Sequence, residues 1–164
     1  MNKTAVYSVE TPLGTMVVHT ERAMPVYLTF LGHFDGCERG AYPAPPAVAA
    51  LMQAVELYFR GGDPGTACAE ELLDNMEVTP FERSVLLEVI NIPYGETASY
   101  GEVAARAGYP RAARAVGNVM RTNPFPVIIP CHRVIKGDGN LGGYGGAEHL
   151  KSHLLRFEGV EIAD

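Results

Sequence analysis

Two helix-start signals constrain the fold of the second half of the chain. Thr79-Pro80-Phe81-Glu82 and Ser99-Tyr100-Gly101-Glu102 each place a glutamate three residues after a hydroxyl residue. In such a capping box the two side chains pair backbone N–H groups that the first helical turn leaves unsatisfied, and proline suits the first helical position. The sequence therefore predicts one helix over residues 80–91 and a second that ends at Gly108.

A third helix is predicted to begin at Pro110, because alanines and valines follow it at helical spacing up to Met120. Two short helices joined by a glycine-containing turn are typical of a helix-turn-helix. Residues 99–121 hold four arginines and one glutamate, although the whole chain has a formal net charge of −6. Such a local basic patch is compatible with binding to DNA phosphates. An ordinary helical hairpin with solvated arginines is the alternative, and the helix pattern alone favours it.

The first half predicts a small sheet and one helix. Three runs rich in β-branched and aromatic residues predict an antiparallel sheet, at residues 4–10, 15–20 and 26–31. A helical stripe of apolar residues starts at Pro46 and stops at Gly61. The turn-rich break that follows predicts a domain boundary near residue 76, which gives domains at 1–76 and 77–164. The expected fold class is α+β, a mixed α/β protein.

Composition excludes several classes of protein. Hydrophobic residues make up 47% of the chain, enough for a packed core, and no apolar run reaches the ~18 residues of a membrane span. The N-terminus shows no signal-peptide hydrophobic region, and the three cysteines form no CxxC pair. We therefore expect a cytoplasmic protein (nuclear in a eukaryote) with no membrane partner, no cofactor and no bound metal.

Cys131 is the candidate nucleophile. It lies in the run Ile128-Ile129-Pro130-Cys131-His132-Arg133-Val134. Only a thiolate attacks, and a neighbouring base or cation can lower the thiol pKa from its usual value of about 8.5. A lone Cys-His pair is more often a buried thiol beside a structural histidine. A cysteine hydrolase would normally place its histidine far away in sequence, and a redox role lacks a nearby resolving cysteine.

Residues 79–159 resemble the catalytic domain of the O6-alkylguanine-DNA alkyltransferases, also called methylated-DNA–protein-cysteine methyltransferases. The matching segments stand in the family's order: Ile92-Pro93-Tyr94-Gly95-Glu96-Thr97, Ser99-Tyr100, Arg114-Ala115-Val116-Gly117-Asn118, Met120-Arg121, Asn123-Pro124, Ile129-Pro130-Cys131-His132-Arg133-Val134, Gly143-Tyr144 and Glu158-Gly159. The likeness covers about half the chain. The first half agrees only in size and in its sheet-plus-helix pattern.

The resemblance implies a ribonuclease-H-like N-terminal domain and a helical, winged helix-turn-helix catalytic domain. It implies a suicide repair enzyme, a methylated-DNA–protein-cysteine S-methyltransferase. An alkyl group would move irreversibly from O6 of guanine (or O4 of alkylated thymine) in double-stranded DNA to Cys131. The protein is expected to act as a monomer. The alternative is a protein that binds alkylated DNA without repairing it, but such relatives lack the reactive cysteine.

The resemblance also implies roles for individual residues. His132 would take the thiol proton through a water, and Glu158 would hold the histidine. Asn123 would tie the helix-turn-helix to the active-site turn, and Tyr100 would donate to the leaving purine. Arg114 would fill the gap left by the extruded nucleotide.

The remaining implied roles fall into DNA contacts and pocket contacts. The residues implied to contact DNA are Arg114, Ala115, Arg111, Arg121, Ser99 and Arg133. The residues implied to line the pocket are Met120, Val134, Tyr144 and Gly145. The carbonyls of Cys131 and Val134 would bind the exocyclic amine of guanine, and the amide of Gly145 would reach toward O6.

Overall fold

The structure is a computed structural model that describes residues 4–30, 38–144 and 147–162, without the side chains of residues 38 and 39. By packing, the chain divides into two compact units. The first holds the described residues up to Cys68 together with Pro124–Ile128, and the second holds Ala69–Asn123 and the described residues from Ile129 onward. The domain boundary near residue 76 stays a prediction.

The first unit is a mixed sheet with one helix. Strands β1 (Thr4–Thr11), β2 (Gly14–Glu21) and β3 (Met24–Phe30) form the predicted antiparallel sheet, and a short β4 (Glu38–Arg39) pairs parallel to β1, giving the order β3-β2-β1-β4. Helix α1 (Pro46–Phe59) packs on β1, β2 and β3. It buries its apolar face through Val48, Leu51, Val55 and Tyr58. Leu28 N–H donates to the Pro124 carbonyl at 2.7 Å, within the same unit.

The second unit is mainly helical. Its helices are most of α2 (Thr66–Asp74), which begins in the first unit and which the sequence does not predict, together with α3 (Pro80–Ile90), α4 (Tyr100–Arg106), α5 (Ala113–Arg121) and α6 (Glu148–Phe157). Both predicted capping boxes are present, with Thr79 and Ser99 as the N-cap residues of α3 and α4. The α+β class is therefore confirmed, and α4 and α5 form the predicted helix-turn-helix.

The predicted start of α5 at Pro110 is wrong. Gly108, at φ +90°, and the hydrogen bond from Tyr109 N–H to the Ala104 carbonyl at 2.8 Å end α4 in a wide turn. The turn continues through Ala112, whose N–H bonds the Tyr109 carbonyl at 2.9 Å, so α5 begins at Ala113.

A two-stranded parallel ladder connects this helix-turn-helix to the cysteine segment. Strand β5 (Ala98–Ser99) immediately precedes α4, and β6 (Val134–Ile135) follows the 3-10 turn Cys131–Arg133. Ala98 lies opposite Val134 and Ser99 opposite Ile135. The start of α4 is thereby held in register with the backbone that follows the cysteine.

Candidate active site

Cys131 begins a buried 3-10 turn, Cys131–Arg133, and is 3% exposed. The backbone before the turn is held by Asn123, whose Nδ2 donates to the Ile129 carbonyl at 2.8 Å. The sulfur lies 3.6 Å from the Tyr144 hydroxyl, within hydrogen-bond range for sulfur. The fold therefore presents a thiol with a fixed backbone and a polar neighbour.

Glu158 is the centre of a buried ionic cluster behind that turn. Its carboxylate accepts hydrogen bonds from His132 Nε2 at 2.6 Å, Arg133 Nε at 3.0 Å and the Gly95 N–H at 2.9 Å. Arg133 also donates through Nη1 to the Ile92 carbonyl at 2.7 Å. Burial alone would raise the pKa of Glu158, but the bonds from His132, Arg133 and Gly95 bring it down to about 2. The carboxylate is therefore ionised at neutral pH.

The ionised Glu158 determines which nitrogen of His132 can act as a base. Burial lowers the pKa of His132 below its usual value, so the imidazole is neutral at neutral pH. A neutral imidazole has one donor nitrogen and one acceptor, and a carboxylate can only accept. The hydrogen-bond network thus assigns the ring proton to Nε2 and leaves Nδ1 as the basic nitrogen.

Opposing effects act on the Cys131 thiol. Burial raises its pKa, whereas hydrogen bonding with Asn123 and Tyr144 and the positive charge of Lys151 lower it. The thiol is therefore protected from solvent, and its ionised form depends on these three neighbours.

Lys151, on α6, is the site residue that sequence reasoning missed. It is 1% exposed, and its Nζ donates to the Val134 carbonyl at 2.6 Å and to the Tyr100 hydroxyl at 3.4 Å. Burial lowers its pKa to about 8, against the attraction of Cys131 and Glu148. A signal was present, because Lys151 occupies the apolar stripe that continues through Leu154 and Leu155, where a charge needs a buried partner.

Tyr100 lies beside this lysine at the first position of α4 and is half-buried. Burial, followed by the charge of Cys131, raises the pKa of its hydroxyl, so the group stays protonated. Gly142 approaches so closely that a Cβ there would lie 2.8 Å from the Tyr100 hydroxyl oxygen. The position of the tyrosine therefore depends on a glycine in the neighbouring loop.

A cleft of about 510 Å³ opens next to Tyr100. Residues from α5 line one side and residues from the loop after β6 line the other; the full set is Tyr100, Ala113, Arg114, Gly117, Asn118, Arg121, Lys136, Gly142 and Gly143. Lys136 and Asn118 had no predicted role.

The residues predicted to contact DNA are in two different environments. Arg111, Arg114 and Arg121 are exposed on the helix-turn-helix, while Ala115 and Ser99 are half-buried. Their roles stay predictions.

The predicted DNA contact of Arg133 is wrong. This arginine is 4% exposed, and its guanidinium is bound to Glu158 and to the Ile92 carbonyl. It is the counter-ion of the buried carboxylate and has no exposed charge to offer a phosphate.

The residues predicted to line the pocket are only partly described. Met120 is buried and Tyr144 faces the sulfur, while Gly145 lies outside the described residues. The Val134 carbonyl already accepts from Lys151, and the Cys131 carbonyl accepts from the Val134 N–H. Each carbonyl oxygen keeps a second lone pair for a ligand.

Within residues 4–30, 38–144 and 147–162, no three histidine, cysteine or carboxylate side chains are grouped so as to hold a metal ion. None of the helices there has the length and apolar character that a membrane crossing requires.

The second unit thus defines a class, a helix-turn-helix protein with a buried cysteine, histidine and carboxylate. The family model of the 6-O-methylguanine DNA methyltransferase DNA-binding domain matches residues 80–160. The methylated-DNA–protein-cysteine methyltransferase of Mycobacterium leprae is 36% identical over 156 residues, covering 94% of this chain and 92% of the relative. That of Methanothermobacter thermautotrophicus is 42% identical over 118 residues, 72% of this chain and 65% of the relative.

A Mycobacterium tuberculosis protein of the same kind, crystallised in complex with DNA, is similar in structure. Its TM-score is 0.72 at 30% identity, and the match covers 94% of this chain and 93% of that one. The chain belongs to the methylated-DNA–protein-cysteine methyltransferase family.

Proposed function

We propose that this chain repairs double-stranded DNA by moving an alkyl group from O6 of guanine, or O4 of thymine, irreversibly to Cys131. The observation that carries the proposal is the buried Cys131-His132 turn, which is backed by an ionised Glu158 in the same unit as a helix-turn-helix. It is a single-turnover methylated-DNA–protein-cysteine S-methyltransferase that acts as a monomer. Its place is the cytoplasm, or the nucleus in a eukaryote.

The first chemical step is displacement at the alkyl carbon. The thiol proton passes to Nδ1 of His132 through a water, and Glu158 stabilises the imidazolium that forms. The sulfur then bonds to the alkyl carbon as the carbon–O6 bond breaks, and that electron pair goes to the guanine. The products are a thioether on Cys131 and a guanine anion, which becomes the unalkylated base when it takes a proton by way of Tyr100. The carbon–sulfur bond of the neutral thioether is not activated toward displacement by guanine, which makes the transfer irreversible.

The second requirement is a donor for the leaving purine. Tyr100 is this donor. Its hydroxyl oxygen accepts a hydrogen bond from Lys151 Nζ at 3.4 Å, so the hydroxyl proton is available to be donated to the purine. Lys151 also offsets negative charge on the sulfur before transfer and on the purine after it. A preorganised donor aimed at developing charge is among the strongest sources of rate enhancement.

The third requirement is access to the lesion. An O6-alkyl group inside a duplex is out of reach, so the nucleotide must be extruded, which costs about a few kcal/mol. Arg114 is exposed on α5 and lines the cleft beside Tyr100, a position suited to filling the gap in the stack. Asn123 connects the end of α5 to the cysteine turn through its bond to Ile129.

Gly142→Ala is expected to slow methyl transfer by about 10–100-fold, because a small displacement of a positioned group has effects of that size. The new Cβ would lie 2.8 Å from the Tyr100 hydroxyl and force it away from Lys151. The rate is measured by quenched-flow with a duplex that holds one O6-methylguanine. Gly65→Ala is the matched control, since Gly65 has a similar φ of +80° but nothing within 4 Å of the added carbon. Equal rates for the two variants would remove Gly142 from the positioning of Tyr100.

The experiment that tests the proposed function is peptide mass spectrometry after mixing the protein with that duplex. Trypsin releases residues 122–133, which contain Cys131 and no other cysteine. We expect one added methyl on this peptide, at one equivalent and no more. Binding of the lesion without any methyl on the peptide would favour the alternative, a sensor of alkylated DNA.

A further inference from the structure

The cleft beside Tyr100 is positively charged in a chain whose net charge is negative. Arg114 and Arg121 reach it from one face of α5, because seven residues correspond to about two helical turns. Lys136 faces them from the loop after β6, and no carboxylate is among the residues that line the cleft. Three cations therefore converge on one concave surface.

Among the described residues, these cations form no close ion pair. In the part of the chain that the structure describes, no salt bridge includes Arg114, Arg121 or Lys136. The acid nearest to Lys136 in sequence is Asp138, whose carboxylate accepts a hydrogen bond from the Asn140 N–H at 3.0 Å. That hydrogen bond lowers the pKa of Asp138, and the charge of Lys136 lowers it by a smaller amount. Cations gathered in a cleft repel one another unless an external anion lies between them.

Hydrogen bonds order the Arg121 side chain on one side of the cleft and the backbone of Lys136 on the other. Arg121 Nη2 donates to the Asn118 side-chain oxygen at 2.7 Å, which orients the guanidinium. Lys136 N–H donates to the Asn140 carbonyl at 2.8 Å, directly after β6, which follows the cysteine turn. Lys136 is thus five residues from Cys131 along a hydrogen-bonded path.

We propose that Lys136 and Arg121 clamp a DNA backbone phosphate beside the extruded nucleotide, leaving Arg114 to occupy the gap in the duplex. This inference rests on the proposed function, since it assigns a contact to the same DNA substrate. The glycine wall at Gly142 and Gly143 allows a close approach of the sugar-phosphate chain. Lysine acts on phosphate as a point charge, and a guanidinium held in one plane adds directed hydrogen bonds.

The test is the salt dependence of DNA binding by Lys136→Gln. Binding to a duplex with one O6-methylguanine is followed by fluorescence anisotropy over a KCl series, on a Cys131→Ala background so that no transfer occurs. Each neutralised phosphate contributes about 0.9 to the slope of log K against log salt. We expect Lys136→Gln to lower the magnitude of the slope by about that amount, and Lys136→Arg to keep it.

Arg60→Gln provides the matched control. It removes one positive charge from an exposed side chain of the first unit, whose partner is Glu56 at 3.7 Å. An unchanged slope for Lys136→Gln would overturn the proposal, and so would equal losses in Lys136→Gln and Arg60→Gln. The mass-spectrometric experiment on the unsubstituted protein is scored separately, so failure of the phosphate contact is distinguishable from failure of methyl transfer.

Discussion

Cys131→Ala is expected to abolish methyl transfer completely while leaving lesion binding in place. We expect no other group in the described site to replace the sulfur as the acceptor, because a thiolate is a much better nucleophile toward an alkyl carbon than a hydroxyl such as that of Tyr144. The loss of one buried sulfur changes little of the cation-lined cleft. Methyl transfer is measured by mass spectrometry of all tryptic peptides, and binding by gel shift with the O6-methylguanine duplex.

Cys68→Ser is the control for this substitution. Cys68 is a half-buried cysteine near the start of α2 and belongs to the first unit, whereas Cys131 belongs to the second. We expect Cys68 to accept no methyl group. We also expect the Cys68→Ser variant to transfer the methyl group at the rate of the unsubstituted protein. Methyl found on Cys68, or transfer that survives Cys131→Ala, would show that Cys131 is not the acceptor.

The parts of the fold that sequence could predict are those that local interactions determine. The capping boxes at Thr79 and Ser99 satisfy backbone groups within four residues, so their pattern is sufficient to locate two helix starts. The prediction that α5 starts at Pro110 is wrong because the hydrogen bond from the Tyr109 N–H to the Ala104 carbonyl extends the turn that precedes the helix. Proline is compatible with a first helical position but does not require one.

The local sequence pattern could not predict which charged side chains of the site are buried. The family resemblance implies a DNA contact for Arg133, two residues after the cysteine, but the partner of this arginine is Glu158, 25 residues away in sequence. Lys151 had a detectable signal in the apolar stripe of α6, yet its partners at Val134 and Tyr100 belong to other elements. Tertiary contacts alone decide whether such a charge faces solvent or a buried counter-ion.

Glu158→Gln is expected to destabilise the protein by about 3–5 kcal/mol, which lowers Tm by roughly 10 °C, because it leaves the buried Arg133 charge without its counter-ion. It is also expected to slow methyl transfer on the order of 100-fold, since the amide no longer stabilises an imidazolium at His132. Stability is measured by urea unfolding and the rate by quenched-flow. Glu56→Gln, which breaks only an exposed pair with Arg60, should change stability by less than about 0.5 kcal/mol.

The free energy of unfolding that Glu158→Gln removes should decrease as the pH falls. The pKa of Glu158 is about 2 in the folded protein, below the ordinary value of 4.5, so its ionised form favours folding. The contribution is fully present above about pH 4.5 and is lost as pH falls toward 2. Urea unfolding of both proteins across this range should therefore show the difference shrinking on acidification. A constant difference would mean that the stabilising effect of Glu158 comes from packing and not from its charge.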